Sequence, residues 1–527
     1  MTMGTPMMNM PTFGFWEQAQ AHPNDIAVVE PDGQTVTFGA LLAGANQLVH
    51  GLRAMGVQKG DCIAMMLENR SEVLQLFMAV AQSGLYLTPL NYHLAPPEAG
   101  YIVTDCGAKA VFYSAKTAEL AQKALDGIGY EAARRFCVDA VEGHQPLSAL
   151  TAPQPATVPA DRFAGTTMTY TSGTTGRPKG VRRPFGDLAP EQVSSMQAMF
   201  LLSFGITPRD NGVHLVVAPM YHTAVINFAT NHLHLGHTVV LMDRWTPEGM
   251  LERIAKYKVT TSHMVPTMFT RLLKVPQELR DATDVSSLRQ MIHGAAPCPI
   301  EVKRAMLAWW GDTVYEYYAA SEGGGTTATP AEWKQKPGTV GKPWPISRIL
   351  ILDDAGQPVP TKTPGTVWIS MGQHTFKYHG DEKKTADSWK DGFFTVGDAG
   401  FVDEDGYLFL CDRKADMIIA GGVNIYPAEI ESVLSQHPQV DDVAVFGVPD
   451  EDMGEAVKAV IQVGGGGVAG EAFTAELLAW AAERLAKYKL PRSVDFIEAM
   501  PRDPNGKLYK RTLRDPHWVG KNRGGAN

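Results

Sequence analysis

Between Thr37 and Met242, short apolar runs of four to seven residues alternate with stretches whose apolar side chains recur at helical spacing. Thr37–Gly56 reads as a helix, Asp61–Leu67 as a strand, Ser71–Ala81 as a helix and Lys109–Ser114 as a strand, and His214–Pro219 and His237–Met242 repeat the strand pattern. Strands that alternate with helices call for a layered α/β fold with largely parallel sheets. From Ile349 the texture changes. Turn signals at Asp353–Gly356, Pro364–Gly365, Lys390–Gly392 and Asp403–Gly406 split short β-like runs into hairpins, a small β-rich and mostly antiparallel unit. Beyond Asp412 the pattern is mixed: Ala428–Gln436 and Ala472–Tyr488 read as helices and Asp441–Val448 as a strand, with Gly464–Gly467 a flexible connection. The expected architecture is a large multi-subdomain α/β domain over 1–412 and a small α+β domain over 413–527.

The most unusual local string is Thr169-Tyr-Thr-Ser-Gly-Thr-Thr-Gly-Arg-Pro-Lys-Gly180. Glycines bring bare N–H groups close to a ligand, hydroxyls add donors and the lysine adds a point charge suited to phosphate. Thr171, Ser172, Gly173, Thr174, Thr175, Gly176 and Lys179 are therefore polyphosphate-binding candidates. The string is not the common G-x-x-x-x-G-K-[ST] loop, because Arg177 and Pro178 separate Gly176 from Lys179. A bare Ser/Thr/Gly turn is the bland alternative.

The chain has 527 residues, a formal charge of −9 and 44% hydrophobic content, which favours a globular protein over a nucleic-acid binder. The five cysteines, Cys62, Cys106, Cys137, Cys298 and Cys411, contain no C-x-x-C pair, so neither a zinc site nor a disulfide framework is expected, and a cytoplasmic setting fits. The Met-rich N-terminus lacks the basic start and apolar core of a signal peptide, and no apolar run is long enough for a transmembrane segment. The tail Lys507–Arg523 is locally basic.

Further along lie His293-Gly-Ala-Ala-Pro297, a small-residue wall on which a base could lie, and Tyr317-Tyr-Ala-Ala-Ser-Glu322, with a ring and a carboxylate that could stack a purine and hold a hard cation. Asp398, in Phe-Phe-Thr-Val-Gly-Asp, is a natural acceptor for two ribose hydroxyls. Pro501-Arg-Asp-Pro-Asn-Gly-Lys507 frames a loop that presents Lys507.

These stations, in this order, resemble those of adenylate-forming enzymes, in particular the acyl-CoA synthetases (fatty-acid–CoA ligases), and the resemblance spans nearly the whole chain. It implies an α/β N-terminal domain and a mobile C-terminal domain that rotates between two half-reactions. By resemblance Gly294, Ala295 and Ala296 flank the adenine, Tyr318 stacks on it, Asp398 and Arg413 meet the ribose, and Glu322 with Ser321 takes Mg²⁺. Ala319 and Ser321 replace the family's glycine and threonine, and Val396 interrupts its Thr-Gly-Asp. Lys507 reaches the α-phosphate and the substrate carboxylate. Gly421 and Gly422 line a tunnel for coenzyme A, and Ala415 stands where the family hinge carries Asp or Lys. His222, Asn227, Gly323 and Gly324 line an acyl pocket, in which the Gly323–Gly325 run leaves room for a bulky group. The implied reaction is ATP-dependent acyl-CoA ligation through acyl-AMP, on a medium- or long-chain fatty acid or a ring-bearing acid. A carrier-protein acceptor and a non-catalytic nucleotide-binding relic are the rival expectations, and a homodimer is left open.

Overall fold

The structure, a computed structural model, describes residues 13–171, 178–372, 374–413, 416–421, 423–502, 506 and 508–519. They fall into two compact units: the described residues of Met1–His263, Gln277–Met291 and Thr375–Thr385, and those of Met264–Pro276, Ile292–His374 and Ala386–Asn527.

In the first unit the expected parallel sheets form. One has the strand order Arg135–Cys137, Ala108–Tyr113, Cys62–Met66, Tyr86–Pro89, Thr166–Thr167, and its pairs are all parallel. The Cys62–Met66 strand is buried at every position, the continuous apolar run of a sheet covered on both faces. Helix Ser71–Ala81 spans the predicted residues. Helix Phe38–Ala54 starts where Thr37 Oγ1 accepts the Ala40 N–H at 3.2 Å, an N-cap. In a second sheet, Val213–Val216 pairs in parallel with Thr238–Leu241 and with Thr261–Met264, and Ile26–Val29 extends it beyond Thr238–Leu241. A third sheet is small and antiparallel: Thr169–Thr171 on Lys179–Arg182, with Lys377–Tyr378 on the other edge.

The second unit carries the hairpins. Val314–Ala320 turns back on Gly323–Ala328. Strands Arg348–Leu352, Gly365–Ser370, Phe393–Phe394, Asp398–Val402 and Leu408–Arg413 pair antiparallel throughout, as the turn signals predict. The C-terminal segment builds a further sheet, in which Gly454–Val463 pairs with Val440–Asp450 and, in parallel, with Ser493–Ile497. Ile418, Ile430, Leu434, Val445, Ile461 and Leu477 form its core beneath helices Pro427–Leu434 and Glu471–Ala482. That second helix stops at Ala482 rather than Tyr488, and Lys487–Lys489 forms a separate 3-10 turn. All five cysteines are free thiols.

Candidate active site

The phosphate-loop candidates start from a hairpin stem. Thr171 lies opposite Lys179 in the antiparallel ladder. Ser172, Gly173, Thr174, Thr175 and Gly176 lie outside the described residues. The stem is pinned from outside: Tyr170 Oη donates to Asp105 Oδ2 at 2.5 Å and Tyr101 Oη to Pro178 O at 3.4 Å. Burial and the adjacent Asp105 carboxylate push the Tyr170 phenol far above its ordinary pKa, so it stays a donor. Lys179 forms an ion pair with Asp381.

Candidate base and ribose residues converge in the second unit. Strand Gln290–His293 ends at Gly294, where an added Cβ would lie 2.7 Å from Tyr317 Cε1 and 2.8 Å from Tyr317 O. Only glycine allows that approach. Ala295 follows at φ +66°, a left-handed backbone that costs a non-glycine residue about 1–3 kcal/mol. Strain of this kind clusters at ligand sites. Tyr318, on the neighbouring strand Val314–Ala320, donates its phenol to Asp398 Oδ2 at 2.7 Å. Asp398 in turn pairs with Arg413 across the antiparallel ladder. Tyr318 and Asp398, 80 residues apart in the chain, thus meet, with the Arg413 backbone opposite Asp398.

Ser321 and Glu322 form the tip of the hairpin between Ala320 and Gly323. Glu322 is only 6% exposed. Among the described residues no three His, Cys, Asp or Glu side chains gather into a metal site. Mg²⁺ does not require one, since it takes one or two carboxylates together with substrate phosphates, and a single turn carboxylate beside a hydroxyl fits that habit. On the side where a Cβ would project, Gly323–Gly325 are closely backed by protein. A Cβ on Gly323 would meet Met371 Sδ at 2.1 Å, one on Gly324 the Ile369 Cγ2 at 2.5 Å, and one on Gly325 the Tyr318 carbonyl at 2.2 Å. These glycines serve tight packing of the hairpin.

His222 and Asn227 lie in the first unit, His222 as N-cap of helix Thr223–His234 and Asn227 exposed one turn further on. Sequence reasoning missed Asn69, which fixes the loop before His222. Its amide donates to Ala218 O (2.9 Å) and Met242 O (3.0 Å), and its Oδ1 accepts the Met220 N–H (2.8 Å). The three partners follow two neighbouring strands, so one buried amide ties both strand ends together. Its local signal, Glu-Asn-Arg after an apolar run, does not distinguish it from a surface turn.

Helix Thr223–His234 is also held from its far end. His237 Nε2 lies 3.0 Å from the Thr207 carbonyl and 3.1 Å from Asp210 Oδ1, which can only accept, so it carries the proton. With His237 neutral, its Nδ1 accepts from His232 Nδ1 (2.9 Å), leaving His232 Nε2 to accept from Thr261 Oγ1 (3.1 Å), which accepts from His214 Nδ1 (3.0 Å). All three rings are neutral in this sequence of bonds. Burial lowers the pKa of each, that of His214 to about 3.

A second buried group escaped the sequence reading. Lys303, with no exposed surface, donates to Glu316 Oε2 at 2.6 Å, and His293 Nε2 lies 3.5 Å from the same oxygen. Lys303 also sits over the Trp333 ring, 4.9 Å from its centroid. Burial pushes the Glu316 carboxyl up, while Lys303 pulls it down. The pair joins helix Ile300–Trp310 to the strand of Tyr318, beside the end of the strand that leads into Gly294–Ala296.

In the C-terminal segment, Gly421 turns between strands Ile418–Ala420 and Val423–Ile425 at φ +58°, and an added Cβ would lie 2.4 Å from Met453 Cε. Gly422, Ala415 and Lys507 lie outside the described residues. Arg502, also missed, holds Asp442 with two bonds of 2.5 and 2.7 Å and donates to Gly506 O at 2.6 Å.

A nucleotide-binding α/β body with a small C-terminal domain is the architecture of adenylate-forming enzymes. The chain matches the AMP-binding enzyme family over residues 15–378 and the AMP-binding enzyme C-terminal domain over 429–507, and it belongs to that family. It is 32% identical to the long-chain-fatty-acid–CoA ligase FadD13 of Mycobacterium tuberculosis, covering 95% of this chain and 97% of the relative. It is 34% identical to a feruloyl-CoA synthase from an Amycolatopsis species, over 95% and 98%. The o-succinylbenzoate CoA synthetase MenE of Bacillus subtilis, solved with its acyl-adenylate, superposes with a TM-score of 0.78 at 30% identity, over 95% and 97%. Within the family the chain is an AMP-forming acyl-CoA synthetase, with ATP and coenzyme A as substrates. Among the described residues no helix is long and apolar enough to cross a membrane.

Proposed function

We propose that the protein activates a hydrophobic monocarboxylate, a medium- or long-chain fatty acid or a ring-bearing acid, and transfers it to free coenzyme A. The observation that carries the nucleotide site is the Tyr318–Asp398 hydrogen bond, together with the strained backbone at Ala295. In this reading the adenine lies between Ala295 and Tyr318, with Gly294 and Ala296 completing the wall, and Asp398 and Arg413 take the ribose. Thr171–Gly176 and Lys179 hold the phosphates. Glu322 and Ser321 hold Mg²⁺, which neutralises phosphate charge when bound.

The carboxylate oxygen attacks the α-phosphorus and the bond to the bridging oxygen of pyrophosphate breaks. Negative charge grows on the α-phosphate, and Lys507 opposes it. Loss of one such preorganised donor costs about 2.7–4 kcal/mol. The thiol then attacks the acyl carbon and AMP leaves. His222 and Asn227 border the acyl side in this reading, together with Gly323 and Gly324, and Gly421 and Gly422 leave a slot for the pantetheine arm. The mobile domain begins at residue 413, with its pivot near Ala415. A cytoplasmic setting accords with five free thiols.

Pyrophosphate release across a panel of carboxylic acids, with and without coenzyme A, tests this. Turnover greatest with an apolar monocarboxylate, and thioester formed with free coenzyme A, supports the reading. Preference for a dicarboxylate, or thioester formed only on a carrier protein, overturns it.

A further inference from the structure

Lys179 stands at the foot of the phosphate-loop hairpin, and a third strand determines what faces it. Lys377–Tyr378 pairs with the outer edge of Lys179–Arg182, Tyr378 opposite Val181 and Lys377 opposite Arg182. The pairing runs on one step further, where the His379 N–H donates to Gly180 O at 2.8 Å, and His379 Nε2 donates to Asp105 O at 3.0 Å. Gly380 then turns at φ +64° and delivers Asp381 beside the lysine. The two carboxylate oxygens of Asp381 have different duties. Oδ1 accepts the Lys384 N–H at 2.8 Å and so caps the short helix Glu382–Asp387, while Oδ2 takes Lys179. The Asp381 carbonyl also accepts the Thr385 N–H (3.0 Å) and hydroxyl (2.7 Å), and the Thr385 oxygen accepts the Tyr378 N–H (3.0 Å). The carboxylate is therefore fixed by its own backbone. Both side chains are about three-quarters buried, with exposures of 21% for Lys179 and 24% for Asp381.

We propose that Asp381 is a built-in counter-anion that shares Lys179 with the phosphates of the nucleotide, and that it thereby weakens the hold on ATP and on departing pyrophosphate. A phosphate that reaches Lys179 meets a fixed carboxylate of like charge on the same ammonium. Each anion reduces what the lysine gives the other, and in a partly buried setting such charges are poorly screened. Asp381 acts through Lys179 and is a positioning residue. The proposal rests on the reading that residues 169–180 hold the triphosphate.

Asp381→Asn and Asp381→Ser remove the charge and keep a side chain that caps helices well. Both are expected to lower the KM for ATP and the inhibition constant of pyrophosphate together, by about threefold to tenfold, while the KM for the carboxylic acid stays unchanged. In a Lys179→Met background the same substitutions are expected to change neither constant. If either variant folds, as judged by its thermal midpoint, and leaves both constants unchanged or raises the KM for ATP, the proposal is overturned. If Lys179→Met alone leaves both constants at their original values, the lysine does not meet the phosphates, and the underlying reading fails with it.

Discussion

The phenol of Tyr318 and the carboxylate of Asp398 meet at 2.7 Å, joining the strand that carries the candidate stacking ring to the one that carries the candidate ribose acceptor. Their order in the chain carries no hint of it. The bond orients a carboxylate oxygen and fixes the ring at once, so each residue depends on the other.

Asp398→Ala therefore removes both the ribose acceptor and the partner of Tyr318, and the KM for ATP is expected to rise at least about tenfold. Tyr318→Phe keeps the ring and loses only the hydrogen bond. Because Asp398 keeps its carboxylate in that variant, a smaller rise in the same constant is expected from Tyr318→Phe. Steady-state kinetics with ATP varied at saturating acid checks the order.

Asn69→Ala leaves two buried carbonyls and one N–H to find new partners, at about 1–3 kcal/mol for each group left unsatisfied. The thermal midpoint should fall by several degrees. Because the loop before His222 loosens, the KM for the carboxylic acid should rise more than that for ATP.

The buried histidines predict an acid-sensitive fold. Burial lowers His214 and His234 to about 3 and His263 to about 4, so these rings are neutral in the folded protein at pH 6, whereas an unfolded histidine takes a proton near 6.5. The unfolded chain binds more protons below that pH, so stability is complete above about pH 6.5 and drains away as pH falls towards 4 and then 3. Each ring contributes up to about 1.4 kcal/mol per pH unit in that window. Thermal midpoints should be nearly level from pH 7 to 8 and drop steeply from 6.5 to 5.

The Lys303–Glu316 pair should behave as a buried ion pair. Lys303→Met alone strands a carboxylate and is expected to cost about 3–5 kcal/mol, whereas the double variant Lys303→Met with Glu316→Leu should recover most of it. Denaturant midpoints of the two singles and the double measure the coupling.

The parallel-sheet body and the later hairpins were legible because strand and helix periods differ and turn residues are specific: Ser71–Ala81 lies where its apolar spacing puts it, and Asp353–Gly356 and Asp403–Gly406 join antiparallel strands. The nucleotide stations were legible as strings. Their mutual contacts were not, because Tyr318 and Asp398 are brought together only by sheet pairing. Asn69, Arg502 and Lys303 were invisible for the same reason: an isolated polar residue takes its role from distant partners, and the default reading of each is a solvated surface. At Gly323–Gly325 the string signals absent side chains, and only the fold shows that Met371, Ile369 and the Tyr318 carbonyl back that side of the chain.

In the proposed order the acid is activated on AMP before any thiol takes part, and isotope exchange between pyrophosphate and ATP reports that step. With the preferred carboxylic acid and Mg²⁺ but no coenzyme A, the protein should exchange labelled pyrophosphate into ATP, and the Lys507→Ala variant should do so about a hundredfold to a thousandfold more slowly. Exchange that appears only when coenzyme A is added, or ATP cleaved to ADP and phosphate, would exclude that order.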